Sequence, residues 1–416
     1  MKRQLYLLSI LLIVQGQYCS AGSPEPSQFI DKEGSEFNKP WVKKLIQKFI
    51  LIPTKVNESA YLAAWTNNKI TEPRYTQTSA NAWGIIQGGQ NHFQSIMRLP
   101  FHLGLGDYIV VTGGDPHGRD KDHPKTKGSD LLIIKMSSEG DKLAWSGNLN
   151  KEGKPDRRDK IVKVIDLDEN LWHAGGLDIE GKYLAVPVEK GTIDEDKGHK
   201  SKIIIFDITN PEEPKQVTEV IRNGVKGGAA SLIRLDNGHY LLGVWSDSDN
   251  KPIRYDFYYS KTTEMKDGFL SKPYSLHADK FVGHDKGKKY QNMNLVRDYA
   301  TGFIYIVATR NTSKLAPVIN GKDEADLFQL IYKSRRDISI IYLKDAKKHF
   351  YCKNKQCNFA AGAGLFVPDS NNLALYAVPH WLPDDGKTIH FNQYFYLDPI
   401  SLIDLTRKEE SAEEEG

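Results

Sequence analysis

The stretch Gly175-Gly-Leu-Asp-Ile-Glu-Gly181-Lys-Tyr-Leu-Ala-Val-Pro-Val-Glu189 holds small residues, a short apolar run, a glycine turn and a strongly apolar strand. The same order recurs four more times. Gln94-Ser95-Ile96 leads to Gly106–Thr112, and Ala230-Ser231-Leu232 leads to Gly238–Val244. Met293-Asn294-Leu295 leads to Gly302–Ala308, and Ala363-Gly364-Leu365 leads to Asn372–Val378. A third apolar segment follows each: Leu131–Ile134, Ile203–Phe206, Tyr255–Tyr258, Leu327–Leu330 and Tyr394–Tyr396. Near-continuous apolar runs of this length, bounded by glycine, read as strands buried on both faces. Small residues at the head of each unit suit strands that crowd a central axis.

The expected fold is therefore all-β, a β-propeller in which radial repetition protects the sheet edges. Five blades are visible. Ala60–Trp65 with Trp83–Ile86 supplies either a sixth blade or the outer strand that closes the last one. The anchors Ser95, Gly176, Ser231, Asn294 and Gly364 are 81, 55, 63 and 70 residues apart. Propeller repeats usually run about 40–50 residues, so long inter-strand loops are expected. A β-sandwich is the rival fold, but it would not need similar units in series.

Outward from the repeats, residues 1–21 read as a cleaved secretory signal. Lys2 and Arg3 precede an apolar run from Leu5 to Val14, too short to span a bilayer, and Cys19-Ser20-Ala21 offers small residues for cleavage. Residues 22–50 form a polar leader and a short N-terminal helix. Its apolar face is Trp41, Leu45 and Phe49, with Val42, Ile46 and Ile50 beside them and Lys43, Lys44 and Lys48 opposite. Packing against the main domain is the plain reading of that helix, and a membrane surface the other. The propeller is expected over 51–405, and 406–416 is an acidic, disordered tail. Secretion or a periplasmic location follows, with no transmembrane segment in the mature chain.

The 416 residues include 56 Lys+Arg and 53 Asp+Glu, a formal charge of +3. Loss of Lys2 and Arg3 with the signal leaves 54 against 53, or +1. No one-signed field exists, so charge points to no nucleic-acid partner. With Cys19 removed, Cys352 and Cys357 remain and are expected to form a disulfide in an oxidising compartment. Half of a zinc site is the alternative, but no second cysteine pair completes it. Asn57-Glu-Ser59 and Asn311-Thr-Ser313 match the glycosylation sequon.

In a propeller, the inner strand begins on the face where the second strand ends. Three residues ahead of the anchors stand His92, His173, Gly228, Gln291 and Ala361; at the ends of the second strands stand Asp115, Glu189, Asp247, Arg310 and His380. Gln94, Asn292 and Asn358 lie close by in sequence. An axial mouth lined by these residues is expected to bind an unidentified ligand or protein. Histidines beside carboxylates could hold a divalent metal or serve acid–base chemistry, or they could simply cap sheet ends. The loop from Gly113 to Pro124, with Asp115, Asp120 and Asp122, lacks EF-hand spacing and reads as solvated, as does the patch His277, Asp279, His284 and Asp285. No Gly-x-Ser-x-Gly, His-Glu-x-x-His or Walker loop is present. Two functions remain: a binding or interaction propeller using the polar mouth, and a metal-assisted hydrolase with its site at the same mouth.

Asn91-His-Phe-Gln-Ser-Ile96, Trp172-His-Ala-Gly-Gly-Leu177 with Leu184–Glu189, and Cys357-Asn-Phe-Ala-Ala-Gly-Ala-Gly364 resemble segments of an uncharacterised group of secreted bacterial propeller-like proteins. The strand ending Ile205-Phe-Asp-Ile-Thr-Asn-Pro211 resembles LVIVD-type propeller repeats. The resemblance covers roughly residues 90–400. It implies the fold and carries no assigned activity or catalytic residues.

Overall fold

The computed structural model describes residues 39, 41–55, 58–62, 92–100, 103–115, 128–136, 160–168, 170–190, 200–246, 253–283, 288–312, 322–351, 358–359, 362–379 and 389–396. All of them belong to the compact unit Lys32–Gly416; the other unit is Met1–Asp31. The expected signal peptide, the acidic tail, Cys352, Cys357, Asp247 and His380 lie outside the described residues.

The described chain is all-β apart from a helix, α1 (Leu45–Leu51), and three single turns of 3-10 helix. After β1 (Glu58–Leu62) come four blades built from consecutive strands. Blade one is β2 (His92–Arg98), β3 (Tyr108–Asp115), β4 (Gly128–Lys135) and β5 (Lys160–Asp168). Blade two splits its inner strand into β6 (His173–Ala174) and β7 (Asp178–Glu180), followed by β8 (Tyr183–Glu189), β9 (Lys200–Asp207) and β10 (Lys215–Asn223). Blade three is β11 (Ala229–Arg234), β12 (Tyr240–Ser246), β13 (Arg254–Tyr259) and β14 (Tyr274–His277). Blade four is β15 (Asn292–Arg297), β16 (Ile304–Asn311), β17 (Asp323–Ser334) and β18 (Asp337–Tyr342), with β19 (Lys348–Phe350) also pairing β17.

The β-propeller expectation holds, but the count of five or six repeat blades does not: four self-contained blades form. The remaining sheet is composite. Its strands β20 (Ala363–Phe366), β21 (Leu373–Ala377) and β22 (Ile389–Tyr396) are completed by β1, which pairs antiparallel with β22 from Glu58↔Gln393 to Leu62↔Ile389. The segment around Ala60 therefore closes a sheet and starts no sixth one. Trp83–Ile86 lies outside the described residues.

Second strands are buried along their length, as β8 and β12 show, because they are flanked by strands within a sheet and by sheets above and below. Outer strands face water on one side; β10 alternates mainly exposed and half-buried residues. Apolar clusters fill the space between successive sheets. Leu184, Val186, Ile204 and Phe206 meet Val110, Leu131 and Ile133 between blades one and two. Trp245, Tyr255 and Phe257 meet Met293, Leu295 and Phe328 between blades three and four. Burying each such side chain contributes about 1.5–3 kcal/mol.

A strap from the N-terminal side crosses the lower face, where inner strands end. Val42 N donates to Arg297 O at 2.8 Å, Tyr299 N to Val42 O at 2.9 Å, and Lys43 N to Ser370 O at 2.7 Å. The Trp41 ring lies under the Arg297 guanidinium at 4.8 Å. Trp41 and Val42 precede α1, which begins after Lys44 in the left-handed region at φ 53°. Leu45 and Phe49 then pack with Val296, Tyr305, Leu365 and Leu375 between blade four and the composite sheet. The helix is thus a packed element. Lys48, expected on its solvent side, is buried, and its Nζ donates to the Ser370 and Asn371 carbonyls. Among the described residues no helix is long and apolar enough to cross a membrane.

Candidate functional site

The axis is closed by side chains and backbone. Gly175 and Gly176 carry the inner strand of blade two away from its own sheet and onto blade three: Gly176 N donates to Gly228 O at 3.0 Å, and Ala230 N to Gly176 O at 2.8 Å. A Cβ on Gly175 would meet Gly228 O, and one on Gly176 would meet Gln291 O. Only glycine fits where strands approach this closely.

Polar groups stitch the strands together across the axis. Asn294 Nδ2 donates to Leu177 O at 3.0 Å and to Asp178 Oδ1 at 3.1 Å, while Leu365 N donates to Asn294 Oδ1 at 3.0 Å. Asn292 Nδ2 donates to Ser95 Oγ at 3.1 Å and to the Ala363 carbonyl. Asp178 is fully buried and accepts from Leu232 N and Leu295 N, each at 3.1 Å. The charge that balances it arrives on the strap. Lys39 Nζ lies 2.7 Å from Asp178 Oδ1 and donates to Leu295 O at 2.7 Å. Lys39 N donates to Glu180 Oε1 at 3.1 Å. Burial pushes the Glu180 carboxyl up to about 7, against the opposing pull of Lys39.

On the upper face inner strands begin and second strands end. His173 and Glu189 are direct cross-strand partners. His173 Nδ1 lies 3.3 Å from Glu189 Oε1, a charge contact outside hydrogen-bond geometry, and Gly227 N donates to Glu189 Oε2 at 2.5 Å. The Glu189 side chain is 5% exposed and that of His173 20%. The Trp172 ring meets the imidazole edge to face at 5.3 Å.

His92 pairs Gly114 in the backbone register, and Asp115 pairs Gly128. A bulge between Phe93 and Ser95 shifts that register, so Asp115 is not the counterpart of Glu189 opposite the histidine. The side chains of His92 and Asp115 lie outside the described residues. Gln94 and Asn292 are buried within the sheets and the axis. Gln291 N is held by Thr309 O, and Asn358 is half-buried, its carbonyl accepting from Gly362 N.

Arg310 instead joins a row across three strands. Its register partner Glu324 also faces His349. Arg310 Nη2 reaches Glu324 Oε2 at 2.5 Å, while Lys347 Nζ and His349 Nδ1 lie 2.9 and 3.2 Å from Oε1. Neighbouring Asp323 accepts from Asn311 Nδ2 and Phe359 N, each at 2.8 Å, and burial pushes its carboxyl up to about 6. The amide of the Asn311 sequon is therefore engaged. Asp326 accepts from Lys288 Nζ at 3.1 Å, Tyr290 OH at 2.6 Å and Tyr342 OH at 2.9 Å.

Sequence reasoning passed over Lys39, Asp178, Glu180, Glu324 and Asp326. The alternation Asp178-Ile-Glu180, two carboxylates on one face of an otherwise buried strand, was the available signal. Among the described residues, no three His, Cys, Asp or Glu side chains are grouped to hold a metal ion.

No family model matches the chain. No curated protein matches it. Among solved structures, the chain is similar to a hypothetical protein from Leishmania major, with 10% identity over 80% of this chain and 92% of that one, TM-score 0.36. A glycosyl hydrolase from Bacteroides ovatus gives 9% identity over 81% and 94%, TM-score 0.41. A mannose phosphorylase from Leishmania mexicana gives 8% over 76% and 86%, TM-score 0.36. At this identity and superposition the likenesses carry nothing about chemistry.

Proposed function

We propose that the protein is a secreted propeller hydrolase working at its upper face, with His173 as general base and Glu189 as the group that orients it. The observation that carries this reading is the carboxylate–imidazole pair at 3.3 Å, with the carboxylate's other oxygen fastened by a backbone amide. Glu189 beside Nδ1 favours the Nδ1–H tautomer and leaves Nε2 as the accepting nitrogen. In that role Nε2 takes a proton from water as the water attacks an ester or glycosidic centre. The proton then passes to the leaving group. In resting sites such contacts are commonly long and tighten with substrate bound.

A non-catalytic ligand-binding role is supported by a different observation: Arg310, Lys347 and His349 gather on Glu324, and the Lys347 and His349 side chains are 30% and 45% exposed. In either role His92, Asp115, Asp247, Gln291 and His380 belong to the proposed mouth. A metal-assisted form of the hydrolase is tested by metal content of the purified protein.

The deciding experiment offers a panel of chromogenic esters and glycosides to the full chain, His173→Ala and Glu189→Gln. The reading expects turnover that falls at least about 100-fold in His173→Ala. Turnover of no substrate, with a ligand protecting the wild-type chain but not His173→Ala against thermal unfolding, would favour the binding role.

A further inference from the structure

We infer that Arg222, although outside contact with the imidazole, is the positioning residue for the His173–Glu189 pair. This rests on the reading of that pair given above. Glu189 is oriented by Gly227 N, and Gly227 lies in the connection between β10 and β11, held on its C-terminal side by Gly228 N donating to Trp245 O at 3.0 Å. On its N-terminal side the peptide is fixed by a buried guanidinium. Arg222 Nη1 donates to the carbonyl of Lys226, the peptide group whose other end is Gly227 N. Ser246 Oγ donates to the same carbonyl at 2.7 Å and accepts from Arg222 Nη2 at 3.0 Å. Because the peptide unit is planar, holding the Lys226 oxygen sets the direction of the Gly227 N–H.

The guanidinium is itself tightly held. Its side chain and that of Asp256 are fully buried, and the two form an ion pair. Arg222 Nε donates to Tyr258 OH at 3.2 Å. Asp256 also accepts from Arg254 Nε at 3.0 Å and from Ser275 Oγ. One residue earlier in the same connection, Ser201 Oγ donates to Val225 O at 2.9 Å. Two buried charges make a costly way to cap a sheet end. Here they run from Asp256 through Arg222, the Lys226 peptide and Glu189 to the imidazole, across blades three and two. Such outer partners set the orientation and tautomer of the histidine they serve.

The test reads the tautomer, not turnover. Long-range imidazole 15N spectra of the full chain are recorded at mildly alkaline pH, with His173 assigned by its loss in His173→Ala. Wild type should show His173 mainly as Nδ1–H. The double variant Arg222→Gln/Asp256→Asn removes both charges together. It should lower the ratio of Nδ1–H to Nε2–H by roughly threefold or more, as the carboxylate turns away from Nδ1. Glu189→Gln should lower it as well. An unchanged ratio in the folded double variant, with a fall in Glu189→Gln, would overturn the role of Arg222 and leave the pair standing. No change in Glu189→Gln would remove the pair and the positioning residue together. If the double variant does not fold, Ser246→Ala serves: a lowered ratio supports the relay, and an unchanged one refutes it.

Discussion

Lys39 and Asp178 meet on the propeller axis, ammonium to carboxylate at 2.7 Å, although 139 residues separate them. Both are almost fully removed from water, at 10% and 0% side-chain exposure. Breaking a buried pair from one side leaves an uncompensated charge and costs about 3–5 kcal/mol. Lys39→Met should therefore destabilise by that amount in urea unfolding. Lys39→Met/Asp178→Asn should recover part of the loss. Additive losses in the double variant would show that the two groups do not interact.

Glu180 makes stability depend on pH in an unusual direction. Its carboxyl titrates near 7 in the folded protein and near 4.3 when unfolded. Between those values the folded state binds more protons than the unfolded one, so stability falls as pH rises. The contribution is fully present below about pH 4.3 and is lost by the time pH has passed about 7, roughly 3–4 kcal/mol in all. Glu180→Gln should flatten this part of the curve. Asp323, raised to about 6 by burial, adds a slope of the same sign that survives in the variant. Urea midpoints across pH 4 to 8 that coincide in shape for wild type and Glu180→Gln would contradict the assignment.

Gly176→Ala should be among the most damaging single-methyl additions in the chain. The new Cβ would meet Gln291 O and the Asn292 side chain, neither of which can retreat within a closed axis. Overpacking of this kind costs about 1–3 kcal/mol or more. Gly104→Ala offers the contrast: it has open space around it but sits at φ +69°, so its cost is backbone strain alone, about 1 kcal/mol. Thermal midpoints rank the two, and equal losses would argue against a crowded axis.

The middle strands of every sheet are legible in the sequence because burial on both faces leaves an unbroken apolar run. The outer strands are not. In β10 only Val220 and Arg222 are buried, and Arg222 is a charge, so no hydrophobic pattern marks the strand. The His173–Glu189 pair is legible for a local reason: repeat register alone places the first inner residue opposite the last residue of the next strand. The same rule slips in blade one, where a bulge moves Asp115 past His92. Lys39 is illegible in principle. Nothing in its local sequence marks it for burial, and the groups that bury it come from blades two and four.

The pairing of β1 with β22 imposes an order of events on biosynthesis. A ribosome delivers Glu58–Leu62 early and Ile389–Tyr396 last, so the first strand must stay unpaired while nearly all the rest of the chain is made. The four blades between them consist of neighbours and can assemble as they emerge, whereas joining the two ends has to await loop closure across the whole domain. A nascent chain stalled before residue 389 would hold four formed blades and two loose edges. That intermediate exposes unpaired strand backbone, the form most inclined to associate with another copy of itself.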